Sequence, residues 1–168
     1  MEVMRTISVT ISHFCVGMML VVLGMVCLTE TGCSKKAPKY PEDHARFQRV
    51  VQAIKTLETA YVNKDTPAIH ELLLPLEQLE ILEAEARQDF AQFSTIQLDL
   101  NIDRITIDGN RISAFISWQG KWQRSTQESG DQARGQGVLL WSGNQVILLR
   151  GVEGDLPFGM AARLNVSS

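Results

Sequence analysis

The chain changes its hydrophobic rhythm twice. From Ile7 to Leu28 it is nearly all apolar, interrupted by Ser8, Thr10, Ser12 and His13, and Val16 to Leu28 holds no polar side chain. After a short polar stretch, Phe47, Val50, Val51, Ile54, Leu57 and Tyr61 recur at steps of three and four. That spacing predicts one helix running to about Asn63, with Arg46, Arg49, Lys55 and Glu58 on its other side. Pro41, Glu42 and Asp43 suit its start, with an early proline and acids facing the positive end of the helix dipole. Thr66-Pro67 opens a short second helix with Ile69, Leu72 and Leu73, and Pro75 breaks it. Leu76, Leu79, Leu82, Ala86, Phe90 and Phe93 mark a third. Glu77, Glu80, Glu83, Glu85 and Asp89 crowd its polar side and read as a solvated face.

From Thr95 the period falls to two. Ile96, Leu98, Leu100 and Ile102 alternate with Gln97, Asp99, Asn101 and Asp103, so one face is buried and one is wet. Ile105 and Ile107 then switch parity, which predicts a bulge near Asp103-Arg104. Asp108-Gly109-Asn110 is a hairpin signal. A second strand follows over about 111–124, with Ile112, Ala114, Ile116, Trp118 and Trp122 sharing a parity. Ser125 to Arg134 reads as a polar connection, Gln136 to Trp141 as a third strand, and Gln145 to Arg150 as a fourth. Helices first and strands afterwards predict an α+β domain, three N-terminal helices packed on a meander sheet of about four antiparallel strands. Val138-Leu139-Leu140-Trp141 and Val146-Ile147-Leu148-Leu149 are apolar on both faces. Helices cover one; the other is expected to meet the C-terminal segment, a second subunit in a homodimer, or both.

Charge and cysteine content change this picture mainly by exclusion. The net charge is -3, and beyond Cys33 there remain 15 basic and 17 acidic side chains. That balance offers no basic field for phosphates, so nucleic acid is not an expected partner. Cys15, Cys27 and Cys33 all precede the patterned region, which can form no internal disulfide. No zinc motif, phosphate loop, nucleophile elbow or dinucleotide fingerprint is present, so no metal, cofactor or catalytic residue is assigned.

The apolar run divides the chain into a leader (1–33), a linker (34–40) and a domain (41–168). A helix rises about 1.5 Å per residue, so Ile7 to Leu28 just spans a hydrocarbon core of roughly 30 Å. The shorter Val16 to Leu28 fits the apolar region of a signal peptide. The n-region carries Arg5 offset by Glu2; a start at Met4 would remove the acid. In "LTETGCSKK" (Leu28 to Lys36), Cys33 resembles the modified cysteine of bacterial lipoproteins. Small Thr31 and Gly32 precede it, Ser34 follows, and a polar tether comes next. Glu30 departs from that motif, which has an apolar residue there. Lipidation of Cys33, an uncleaved anchor and ordinary cleavage near Thr31 or Gly32 all remain open. All three place the domain in the bacterial envelope, outside the cytoplasmic membrane, and the first two keep it membrane-anchored.

The stretches "TAYVNKDTPAIHELL" (Thr59 to Leu73) and "VILLRGVEGDLPFG" (Val146 to Gly159), with the long bent strand and Trp-rich meander between them, resemble the NTF2-like superfamily, the SnoaL-like cone fold. The resemblance covers roughly 41–158. It implies a curved sheet wrapped around a long helix, with a pocket at the wide end, in a superfamily of isomerases, dehydratases, transport factors and envelope proteins. Its proton-transfer enzymes place an Asp or His inside the cone. Here the inward parity of the strands offers Ile, Leu, Ala and Trp, and no pair of titratable groups is visibly forced together. The candidate lining of a pocket for a small apolar ligand is Tyr61, Trp118, Trp122 and Arg150, the last placed inward by its parity with Val146 and Leu148. The competing readings are core packing for Tyr61, core or dimer-face packing for the tryptophans, and a pair with Glu153 or Asp155 for Arg150. The expected function is a tethered ligand-binding or assembly module. A cone-fold isomerase- or hydrolase-like enzyme and a structural dimeric envelope component are the alternatives.

Overall fold

A computed structural model describes residues 41–166 except 126 and 128. The leader readings, Cys33 included, therefore lie outside the described residues. Among those residues no helix is long and apolar enough to cross a membrane. The helices are α1 (Pro41–Val62), α2 (Thr66–Leu72), α3 (Glu77–Gln92) and α4 (Met160–Val166). The strands β1 (Thr95–Asp108), β2 (Arg111–Gln123), β3 (Asp131–Ser142) and β4 (Leu148–Gly154) form one antiparallel sheet in the order β1-β2-β3-β4. This is the α+β meander expected from the change of period.

Local chemistry sets the joints. Asp65 caps α2 by accepting from the Ala68 N–H, and Pro67 sits in the first turn, where its missing donor costs nothing. Between α1 and α2 the chain turns through Lys64, in the left-handed region at φ 58°. Its ammonium donates to the carbonyls of Phe93 and Ser94 just beyond α3, satisfying acceptors at the negative end of that helix. At the other end of α1, Arg46 donates to the carbonyls of Gly143 (3.0 Å) and Gly109 (2.6 Å), and Arg49 to that of Asn144 (2.8 Å). These arginines fasten the helix to two hairpin turns of the sheet.

The bulge expected near Asp103 is present: Ile102 pairs with Ile116 and Arg104 with Phe115, so Asp103 is the extra residue. It keeps Ile105 and Ile107 on the same face as Ile96 to Ile102, opposite Ala114 and Ile112. That face carries the core. Val50, Ile54, Leu57 and Tyr61 of α1 meet Ile112, Ala114, Ile116, Trp118 and Trp122 of β2, with Leu139, Trp141 and Leu149 beyond them.

Three boundaries differ from the sequence reading. β3 reaches back to Asp131, because Gln132 and Arg134 keep the ladder with Lys121 and Gln119 while their side chains stay wet. β4 starts at Leu148, and Val146 stands 68 % exposed in the preceding turn. The apolar tail forms α4, and Leu156, Pro157 and Phe158 are buried on the way to it.

Gly120 explains how two tryptophans share one face. A methyl group there would lie 2.4 Å from the six-membered ring of Trp122, so the indole lies directly across the glycine. Gly120→Ala is expected to push Trp122 aside and cost about 1–3 kcal/mol, read as a lower urea midpoint with altered tryptophan fluorescence.

Candidate functional site

The only large polar constellation in the interior of the described residues is one the alternation rules did not reveal. Asp89, assigned above to the wet face of the third helix, is fully buried. One of its oxygens accepts from the Tyr61 hydroxyl (2.6 Å) and the Gly159 N–H (2.8 Å), and the other from the Ala161 N–H (2.6 Å). The Tyr61 oxygen in turn accepts from the Trp122 indole N–H at 3.1 Å. Three of the four residues that the sequence marked are aromatic, and two of them, Tyr61 and Trp122, belong to this chain of hydrogen bonds. The third, Trp118, stands edge-on to Trp122 with ring centroids 6.1 Å apart, and donates to the Asp155 carbonyl.

Each partner comes from a different element. Tyr61 ends the apolar stripe of α1, and Asp89 lies in the last turn of α3. Gly159 turns the chain at φ 72°, a conformation glycine adopts without strain, which brings its N–H and that of Ala161 toward Asp89 at the start of α4. Phe158 packs edge-on against Tyr61 at 5.0 Å, and Phe90 lies at 5.4 Å. Burial, and then the adjacent Asp89 carboxylate, raise the Tyr61 phenol far above its ordinary pKa. Tyr61 is a neutral donor at any physiological pH.

The arrangement is chemically saturated. Asp89 holds three donors, and Tyr61, Asp89 and Trp122 are each 0 % exposed. The sequence reading found no titratable pair forced together; the structure corrects this, since Tyr61 and Asp89 are such a pair. A buried carboxylate in a cone is the kind of group that proton transfer requires, but this one is sealed beneath Phe158 and α4. No group of three or more His, Cys, Asp or Glu that could hold a metal occurs among the described residues.

Arg150 is not part of this constellation. Leu140 pairs with Gly151 and Trp141 with Leu149, so Arg150 is the extra residue of a bulge in β4. Its expected inward direction is overturned because the parity it shares with Val146 and Leu148 faces outward: Ile147 and Leu149 are the buried positions, and Val146 is exposed. Arg150 lines a hollow of about 420 Å³ on the outer face of the sheet, with Phe115, Val138, Leu140 and Glu153.

The helix-lined sheet can be compared with solved structures. An NTF2-like superfamily protein from Salmonella enterica superposes with a TM-score of 0.58 at 16% identity, over 68% of this chain and 93% of that one. The chain has the NTF2-like fold. A putative dehydratase of the NTF2-like family from Streptomyces avermitilis gives a TM-score of 0.56 at 9% identity, over 66% of this chain and 96% of that one. An NTF2-like protein of unknown function from Shewanella oneidensis gives 0.52 at 17%, over 64% and 97%. No protein-family model and no curated protein matches the chain. At such identities the NTF2-like cone is shared as a scaffold, and scaffold does not carry activity.

Tyr61→Phe is expected to cost about 1.5–3 kcal/mol, because Asp89 loses a donor and Trp122 an acceptor. Asp89→Asn should cost at least as much, since its amide NH2 would face a backbone N–H. A double-mutant cycle in urea is expected to give coupling of about 0.5–3 kcal/mol. Additive losses would contradict the network. Tyr61's raised pKa also sets a pH dependence. Its contribution is fully present below the unfolded phenol value of about 10 and declines as pH rises above it, because only the unfolded chain then ionises. Stability measured against pH should lose that part of its alkaline slope in Tyr61→Phe.

Proposed function

We propose that this protein is a membrane-tethered, extracytoplasmic NTF2-like module of the bacterial envelope that works by binding or assembly. The observation that carries the reading is the saturated Tyr61–Asp89–Trp122 network. The resemblance implies an Asp or His inside the cone for proton-transfer members; here the buried Asp89 has donors on both of its oxygens and no exposure. Tyr61, Trp118 and Trp122 are buried and hydrogen-bonded, so the reading places the working surface elsewhere, on the outside of the sheet.

The outer face supports a homodimer. Phe115, Val138, Leu140 and Leu148 stand there half-buried, around a hollow that also holds Arg111, Arg150, Asp108 and Glu153. An apolar centre flanked by both signs of charge can pair with its own copy across a two-fold axis. The C-terminal segment does not compete for this face, because Trp118 holds Asp155 on the opposite one.

The tether is tested by intact mass spectrometry of the protein from membranes. The expected result is a chain beginning at lipid-modified Cys33, or one retaining its leader, that salt does not release. An unmodified terminus near Ser34, released by salt, would remove the tether. The dimer is tested by sedimentation of the detergent-solubilised full chain. A mass of two chains is expected, and of one chain in Val138→Glu, with thermal stability preserved.

A further inference from the structure

At the end of the sheet away from the Arg150 hollow, the outer face sinks into a trough of about 630 Å³. Two rows of polar side chains border it, each row crossing three strands. Gln97, Lys121 and Gln132 form one row, and Asp99, Gln119 and Arg134 the other. Positions two apart on a strand put the rows about 6.7 Å from each other. Between them runs the row that contains Gly120, whose own face is taken by Trp122 on the inner side, so the outer floor is bare backbone. The turn at Gly130 lies against the stem of Lys121 and bounds the trough at that end.

The charges in the trough are sorted. Asp99 stands on β1 and accepts from Gln119 at 3.4 Å, whereas Lys121 and Arg134 stand on β2 and β3. Neither cation has an ion-pair partner among the described residues, although other surface arginines such as Arg111, Arg124 and Arg163 do. Lys121 and Arg134 are diagonal neighbours across the β2–β3 ladder, roughly 7–8 Å apart. One carboxylate can lie between them. Each strand also supplies one glutamine, and an amide both donates and accepts. Sugar hydroxyls do the same. An apolar ligand would strip water from these amides and charges without replacing its hydrogen bonds, and a purely anionic one would leave the amides unused.

We propose that this trough binds an acidic oligosaccharide, a chain of hydroxyl-bearing rings with a carboxylate held between Lys121 and Arg134. The inference rests on the reading of the protein as a module that works through the outside of its sheet, and it supplies the ligand class. The dimer zone and the trough use different residues, so the two can fail separately.

The test is calorimetric titration of the detergent-solubilised full chain with tri-galacturonate, a neutral glucose trisaccharide of the same length, and tri-glutamate. Tri-galacturonate should bind, the other two at least about tenfold more weakly, and added salt should weaken it. Lys121→Gln with Arg134→Gln should weaken it by about tenfold or more, as expected for lost bonds between charged partners. Both positions border the trough at the surface, and unchanged thermal stability of the double variant would show that binding alone was altered. No binding of tri-galacturonate at millimolar concentration, equal binding of the neutral sugar or of tri-glutamate, or indifference to the double substitution would each overturn the proposal. Val138→Glu should bind as the unaltered chain does; a loss there would place the ligand at the dimer face instead.

Discussion

A carboxylate without solvent must be surrounded by donors, and the wide end of this cone is organised by that requirement. Removing Asp89 from water costs several kcal/mol unless its lone pairs are occupied. The donors come from α1, through Tyr61, and from the backbone at the start of α4. Tyr61 passes the constraint to β2 by accepting from Trp122, and Gly120 must stay small so that Trp122 can lie where it does. One buried charge thus fixes the relative placement of three helices and the bent end of the sheet. The same saturation makes the interior a structural centre and turns attention to the sheet's outer surface.

That surface is divided. Near the β3–β4 end it is apolar with both signs of charge, Arg150 among them. Across β1, β2 and β3 at the other end it is polar, with cations separated from the acid. Alternation along β2 and β3 produces both zones from the same strands. Phe115 and Val138 give way to Gln119, Lys121, Gln132 and Arg134 on one parity. An apolar face and a hydrogen-bonding face therefore coexist on the same strands without competing for side chains.

The period changes made the fold largely legible in the sequence. Three helices, four strands and the bulge at Asp103 follow from spacing, because each depends on neighbours within one hairpin or one helix. Tyr61 and Trp122 were marked as pocket candidates by residue type and parity, and they do meet. Asp89 was not legible. Its helix position says polar face, and only the return of residues 159–161, some 70 positions later, encloses it. A cue was present: Asp89 lies three residues after Ala86 and next to Phe90, at the edge of the apolar stripe and away from Glu77 and Glu80. Arg150 was misplaced because both parities of residues 146–149 are apolar, and the one it shares with Val146 and Leu148 turned out to face outward. Long-range contacts, and the facing of a strand apolar on both sides, are what periodicity cannot encode.

The hydrogen bonds from Gly159 and Ala161 to Asp89 have a meaning for the order of events during synthesis. The rest of the network is available once β2 has formed, but the carboxylate stays short of two donors until residue 161 is free to fold back. A chain delivered N-terminus first through a translocation channel would hold its helices and hairpins loosely until that moment. It would become tight and resistant to proteolysis late, in a single step set by the arrival of one glycine and one alanine.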